Sequence, residues 1–438
     1  MSIAAMIERR ERLLGPANPL FYADPLHLVR GEGVWLYDAD GRRYLDCYNN
    51  VPCVGHCHPR VVEAICEQTG KLNTHTRYLH ENILDYAARL LERFDASLNR
   101  LALTCTGSEA NDLAMRMARH HTGAEGFICT NATYHGNTTA VGQFSDIYEP
   151  VGGYSPMVRK VAWPDSYRAP QGVAGERLAE YYADQVKDAI ESLAASGIGL
   201  AGMMICPIFA NEGLPNIPAG YLEKAAAHVR AAGGVFIADE VQAGFGRTGR
   251  WWGHESSGVV PDIVTLGKPM GNGHPIAGLV TTPDIMAGFR TSFRYFNTYG
   301  GNPVSVAAAN ATLDVIEAEG LQANALEVGT YAQDGLRRLA ERYGDIGDVR
   351  GYGLFFGAEF VSDPETKAPA TEYVTALANA MRHRGVLLNK LGIHYNTLKV
   401  RPPLPFSREN ADLMLETLDD ALSALGPVED FVAGDGAA

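Results

Sequence analysis

GGVFIAD (233–239) and DIVTLG (262–267) are the two stretches that decide the fold. Each is apolar along its length rather than alternating, and each stops at a residue suited to a strand end. An apolar run without alternation predicts a strand covered on both faces, as in a parallel sheet flanked by helices. Working outward, similar runs appear at LALTCT (101–106), GFICT (126–130), GLAGMMICP (199–207) and IAGLVTT (276–282). Helical patterns such as Tyr221–Ala232 connect them. The alternation predicts an α/β fold, with a large doubly wound mixed sheet domain over residues 66–328.

The flanks read differently. Residues 31–50 predict a hairpin turning at Asp40-Gly41. Helices are expected around Val61–Glu67 and Glu81–Phe94, the second with Ile83, Tyr86, Ala87, Leu90 and Leu91 at helical spacing. Past residue 329, VRGYGLFFGAEF (349–360) and TLKVRPPL (397–404) predict strands around a helix at Glu372–His383. A last helix is expected at Glu409–Leu425, and the tail Val432–Ala438 is expected to fray. Residues 329–438 thus read as a smaller α+β domain, which the N-terminal segment 1–65 joins.

Composition narrows the function. The 438 residues carry a formal charge of −14, with 46% apolar residues. An acidic balance argues against nucleic-acid partners. No apolar run approaches the roughly 18 residues of a membrane span. Seven cysteines, an odd number lying mostly in apolar runs, read as reduced thiols. The opening MSIAAMIERRERLL reads as a surface helix rather than a leader, so a cytoplasmic protein is expected.

Several motifs fail on inspection. Gly244-x-Gly246-x-x-Gly249 matches a dinucleotide fingerprint as a string, but Arg250-Trp251-Trp252 follows instead of a small-residue helix. Gly267-Lys268 runs into Pro269 and is no Walker motif. Cys53, His56, Cys57 and His58 crowd together without the spacing of a zinc site, so no metal is expected.

One constellation does not fail. In Thr106-Gly107-Ser108-Glu109 a buried strand gives way to a helix beginning near Glu109. A helix N-terminus with an adjacent glycine and a hydroxyl forms a phosphate cup. Asp239 closes one apolar strand and Lys268 closes the next. Ligands of open α/β sheets collect at such strand ends. A phosphate cup, a strand-end acid and a strand-end lysine together suggest pyridoxal 5'-phosphate: phosphate in the cup, acid at the ring nitrogen, lysine as Schiff base.

The strings TGSEAN (106–111), YHG (134–136), IADEVQAGFGRTG (237–249), TLGK (265–268) and NTYGGNP (297–303) closely resemble class III aminotransferases, which are fold type I pyridoxal-phosphate enzymes. The resemblance runs from GHCHP (55–59) to VRPPL (400–404). It implies that Gly107 and Ser108 bind the cofactor phosphate and that Tyr134 stacks on its ring. It implies Asp239 at the ring nitrogen, Val241 on the other ring face, and Gln242 near the phenolic oxygen. Lys268 would be the Schiff-base lysine and the proton shuttle. Thr298 would reach the phosphate of a neighbouring subunit, which implies a homodimer, possibly a dimer of dimers. Arg401 resembles the arginine that grips a substrate carboxylate, a task suited to its planar fork of donors.

Two details bear on the reaction. Where the family usually places a glutamate after the central strand, this chain reads Cys206-Pro207, and Glu212 comes about six residues late. That glutamate often pairs with the carboxylate-binding arginine, so its absence favours pyruvate over 2-oxoglutarate as acceptor. YNNVPCVGHCHP (48–59), NTHTRYLHENILDYAARL (73–90) and YFNTYGGNPVS (295–305) resemble the branch that contains phospholyases, with Asn50, Arg77 and Tyr78 as candidate substrate-side residues. The expectation is an aminotransferase moving an amino group from an amine or amino acid to a 2-oxo acid. The alternative is a lyase eliminating phosphate and ammonia from a phosphorylated or hydroxylated amine.

Overall fold

The computed structural model describes residues 2–147 and 149–434. Among them, seven strands form the large sheet, in the order Arg100–Thr104, Ala277–Thr281, Ile263–Leu266, Val235–Asp239, Leu200–Ile205, Gly126–Thr130 and Val158–Val161. Ala277–Thr281 runs against both of its neighbours, and the remaining pairs are parallel. The predicted doubly wound, mixed sheet is therefore the observed one.

Side-chain alternation explains the unbroken apolar runs. In Gly126–Thr130, Ile128 packs into a core with Leu178, Tyr182 and Val186 on one side of the sheet. Phe127 and Cys129 enter a second core with Leu113, Ala114 and Met117 on the other. Successive strand residues point to opposite faces, so two covered faces leave no place for a polar alternate.

The strand Val158–Val161 escapes this rule and was not expected. It lies at the sheet edge, half-buried, and carries Arg159 and Lys160. An edge strand with charged residues gives no apolar run to read.

A four-stranded sheet joins the N-terminal hairpin to the C-terminal region. Leu28–Glu32, Trp35–Asp38 and Arg43–Asp46 lie side by side, and Val386–Leu387 pairs parallel to Arg43–Asp46. The hairpin turns where expected, with Gly41 at φ +83° and the Asp38 Oδ1 accepting from the N–H groups of Asp40 and Arg42.

The remaining sheet corrects one expectation. Residues 349–360 are not a single strand but parts of two, Ile346–Tyr352 and Phe355–Asp363, paired antiparallel. Gly353 makes the turn at φ +52°, and a Cβ there would lie 2.6 Å from the Arg247 carbonyl oxygen. The second strand also pairs with Thr397–Val400, which carries Lys399. The expected helices appear as Pro59–Lys71, Glu81–Leu91, Thr371–His383 and Arg408–Leu425. Of the tail expected to fray, residues 435–438 lie outside the described residues, whereas Val428–Gly434 is helical.

A buried ionic cluster fastens this sheet to the large one. Glu359 accepts from Arg168 Nε at 2.8 Å and from the guanidinium of Arg350, whose Nε donates to the Gly213 carbonyl at 2.9 Å. The loop after Leu200–Ile205 is thereby tied to the strand Ile346–Tyr352 through Arg350.

Candidate active site

The helix of the phosphate cup runs Gly107–Thr122, two residues earlier than expected. Thr106 is its cap: its hydroxyl accepts from the Glu109 N–H at 3.1 Å, while Glu109 Oε2 accepts from the Thr106 N–H at 2.9 Å. This reciprocal capping box fixes the start. Gly107 and Ser108 consequently sit in the first turn, where backbone N–H groups lack intrahelical partners.

Close packing behind the cup demands glycine twice. Gly136 adopts φ +147°, and a Cβ on it would lie 2.6 Å from Ser108 Oγ. A Cβ on Gly107 would meet Val241 Cγ2 at 3.0 Å. Ser108 Oγ donates to Asn137 Oδ1 at 3.1 Å and accepts from the Asn137 N–H at 3.2 Å.

Strand ends supply the reactive groups. Asp239 ends its strand in register with Thr265, and Lys268 follows two residues after the Ile263–Leu266 strand. Asp239 is 5% exposed and fully engaged. Its Oδ2 accepts from Asn111 Nδ2 at 2.9 Å and bonds to His135 Nδ1 at 2.7 Å, and its Oδ1 accepts from the Val241 N–H at 3.0 Å. The neighbouring Glu240 has a structural task instead, accepting from the N–H groups of Gly253 and His254 and bonding His254 Nδ1, each at 2.8 Å.

These parts line one cavity of about 130 Å³. Gly107, Ser108, Tyr134, Asp239, Val241, Gln242 and Lys268, all expected from the sequence, form its wall. His135, Gly136 and Cys206 line it as well. Burial and the positive charge of Arg401 push the Lys268 amine below its ordinary pKa, against the pull of Asp239.

The substrate-side expectations separate. Arg401 is buried, donating from Nε to the Tyr48 carbonyl at 3.3 Å and from Nη1 to Gln242 Oε1. Gln242 in turn donates from Nε2 to Asn211 Oδ1 at 3.2 Å. Asn50 is fully buried, and neither polar atom of its amide has a hydrogen-bond partner among the described residues.

Thr298, Arg77 and Tyr78 are not at this cavity. Thr298 is exposed and lines a separate surface hollow with Asn73, His75 and Asn302. Arg77 lies 4.0 Å from the Phe296 ring, and Tyr78 stacks on His75 at 5.1 Å. The three residues share one exposed patch on the loops 73–80 and 296–302.

Lys399 was missed in the sequence. It lies two residues before Arg401, buried, and faces both Arg401 and Lys268, which together with burial drive its amine well below its ordinary pKa. The available signal was strand alternation, since positions 399 and 401 share a face of a strand. Cys206 stands where an acid was awaited, and burial raises its thiol well above its usual range. Glu212 does not take the acid's place beside Arg401: its Oε1 accepts from Thr130 Oγ1 at 2.5 Å.

The cavity fits pyridoxal phosphate by its donor set. It joins an amine, a carboxylate with an organised hydrogen-bond shell, and a helix N-terminus with a hydroxyl. Side chains at Gly107 and Gly136 would intrude on the cup. Gly107 N–H and Ser108 would hold the phosphate, Asp239 the ring nitrogen, and Lys268 the aldehyde carbon.

Comparison with known proteins agrees. The family model for class-III aminotransferases matches residues 22–422. An alanine–glyoxylate aminotransferase 2-like protein of Drosophila melanogaster is 41% identical, over 97% of this chain and 88% of its own. The ethanolamine-phosphate phospho-lyase homolog 1 of Caenorhabditis elegans is 35% identical, over 96% of this chain and 93% of its own. A solved phospholyase from Arthrobacter, in complex with phosphoethanolamine, superposes with a TM-score of 0.93 at 46% identity, covering 96% of this chain and 100% of that one. The matched span takes in every residue of the cavity, and the enzymes of this family depend on pyridoxal phosphate. The chain belongs to the class III aminotransferases.

Proposed function

We propose that the protein moves the amino group of a small amine or amino acid to a 2-oxo acid, pyruvate favoured, with pyridoxal phosphate carried covalently on Lys268. The observation that carries this reading is the partner of Arg401. Its side chain bonds the neutral amide of Gln242, so its charge is left for an anionic substrate group. With Cys206 in the wall, no acid bonds Arg401 among the described residues, which favours a monocarboxylate acceptor.

When bound, the cofactor supplies an aldehyde for the substrate amine and a ring that draws electrons from the adjoining carbon. The chain's residues do the rest. Asp239 holds a proton at the ring nitrogen, with Asn111 and His135 keeping its carboxylate in place. Lys268 Nζ, its pKa lowered by burial and by Arg401, moves the proton at the carbon next to the amine. Tyr134 and Val241 close the two ring faces, and Arg401 orients the substrate's anionic end.

A second reading, elimination from a phosphorylated amine, is favoured by Lys399. Two buried basic side chains two residues apart, with no carboxylate bonded to either among the described residues, suit a dianionic phosphate better than a carboxylate. The likeness to the Arthrobacter phospholyase supports it.

Further parts belong to the proposal. Thr298, Arg77 and Tyr78 serve a site of the partner subunit in a homodimer, and Asn50 serves the substrate side. The chain divides at residues 65 and 328 and works in the cytoplasm; among the described residues no helix is long and apolar enough to cross a membrane.

The test is a spectral screen of the purified holoenzyme against amines and amino acids. Conversion of the cofactor to its amine form, reversed by pyruvate, supports transfer. Release of phosphate and ammonia with the cofactor unchanged replaces it with elimination.

A further inference from the structure

Arg401 and Tyr134 come from distant parts of the chain, yet an unbroken line of hydrogen bonds joins them. Arg401 Nη1 donates to Gln242 Oε1. Gln242 Nε2 donates to Asn211 Oδ1 at 3.2 Å, and Asn211 Nδ2 donates to the Tyr134 carbonyl at 3.1 Å. Gln242 and Tyr134 belong to the cavity wall, whereas Asn211 does not.

The chemistry of the two ends fixes the direction of the line. A guanidinium only donates, and a backbone carbonyl only accepts. Gln242 must therefore turn its oxygen to Arg401 and its nitrogen to Asn211. Asn211 must turn its oxygen to Gln242 and its nitrogen to Tyr134. Reversing either amide, or both, sets donor against donor or acceptor against acceptor somewhere along the line. Each amide thus has one orientation that satisfies both of its neighbours.

The loop that carries Asn211 is pinned on either side of it. The Phe209 N–H donates to the Cys206 carbonyl at 2.8 Å, and the Leu214 N–H donates to the Phe209 carbonyl at 3.0 Å. Glu212 Oε1 accepts from Thr130 Oγ1 at 2.5 Å, and the Gly213 carbonyl accepts from Arg350 Nε at 2.9 Å. Phe209 and Leu214 are fully buried, at φ +48° and +55°. Side chains other than glycine hold such φ only where the surroundings over-determine it.

An arginine that grips an anion gains from a partner that keeps its fork still, because ordering a side chain on binding costs affinity. Apart from the bond to Gln242, the Arg401 side chain makes one hydrogen bond among the described residues, from Nε to the Tyr48 carbonyl at 3.3 Å. Gln242 can steady the fork only while its own amide is held, and its other side-chain partner among the described residues is Asn211. Donating to Asn211 also makes Gln242 Oε1 a stronger acceptor, since chained hydrogen bonds polarise one another.

We propose that Asn211 is a positioning residue: it holds the Gln242 amide with its oxygen toward Arg401 and so keeps the guanidinium ordered for the substrate's anionic end. The proposal rests on the reading of Arg401 as the anion-binding residue and holds for transfer and elimination alike. Asn211 acts through Gln242, and the Tyr134 carbonyl anchors the line.

The test is calorimetric titration of cofactor-saturated protein, without substrate, with acetate and with inorganic phosphate at fixed ionic strength. Arg401→Ala is the control and should lose most of the binding. Asn211→Leu, close in volume, should weaken the tighter-bound anion roughly 3–10-fold, about the worth of one ordinary hydrogen bond. Asn211→Ala should do the same, and it carries the test should the leucine variant fail to fold. A double-mutant cycle separates positioning from packing: in a Gln242→Leu background, replacing Asn211 should change the affinity by less than about twofold. An equal loss in both backgrounds overturns the proposal. So does wild-type affinity in the Asn211 variants while Arg401→Ala binds weakly. Full affinity in Arg401→Ala, or no binding of either anion by the wild type, overturns the reading of Arg401 and the proposal with it.

Discussion

The two groups of residues expected at the site, an inner side at the cavity and an outer side on the exposed patch, are held in different ways. The inner side, with Asp239, His135, Lys268 and the phosphate cup, grows from strand ends and a capped helix, and its groups bond one another inside a single chain. The outer side, with Arg77, Tyr78 and Thr298, stands on exposed loops and makes mostly ring contacts within its own patch. A strand end aims a side chain through its register, whereas a loop needs something to press against. The inner side is therefore held together within one chain, whereas the exposed patch has only its own loops to rest on.

The sharpest way to break this contrast is Lys268→Ala. Turnover should fall by at least the roughly 10²–10⁴-fold that positioned proton transfer supplies, and covalent capture should vanish with it. The fold should survive, because among the described residues the Lys268 side chain makes no hydrogen bond. Borohydride reduction and peptide mapping check the assignment; label on another lysine would contradict it.

Arg401 tests whether the inner side extends to the substrate. Arg401→Ala should cost about 2–5 kcal/mol in kcat/KM for the anionic substrate, as expected for a truncated, buried charge pair. Arg401→Lys should recover part of that, since an ammonium lacks the planar fork. An equal loss with an uncharged amine would show that Arg401 holds only the wall.

Gly136→Ala probes the cup alone. The new Cβ would collide with Ser108 Oγ at a φ unsuited to alanine, a strain of order 1–3 kcal/mol. Cofactor affinity, followed by absorbance titration, should weaken while the melting curve changes less. Thr298→Val probes the outer side and should cost about 1 kcal/mol of cofactor affinity, one hydrogen bond, if the hydroxyl reaches a partner's phosphate. Sedimentation belongs with it: a fully active monomer would remove Thr298 from the site.

The smallest expected effect is on pH. Arg401 and burial lower the Lys268 pKa, so its amine should become reactive toward the cofactor below the ordinary 10.5. Removing the like charge in Arg401→Ala favours the protonated amine and should move that midpoint upward. Capture rates of cofactor-free protein across pH give the measurement.

Much of the inner side was legible in the chain because its signals are local. All-apolar runs marked the covered strands, and a polar residue at the close of each marked Asp239 and Lys268. The cup was legible too, although Thr106, not Glu109, sets the helix start. What the chain concealed was contact between distant segments. His135 was visible only as part of YHG, yet it joins Asp239 across 104 positions of sequence. Lys399 looked like any strand lysine until Arg401 and Lys268 closed around it.

By itself, the sequence determined the sheet, its winding and most of the residues that line the cavity, because burial on two faces and capping are written in neighbouring positions. Only the tertiary structure decided that Gln242 rather than an acid meets Arg401, that Glu212 bonds Thr130 instead of standing beside Arg401, and that Thr298 lies outside the cavity. Those outcomes depend on which of many polar groups become neighbours once the chain has folded, and pairing of that kind has no period along the sequence.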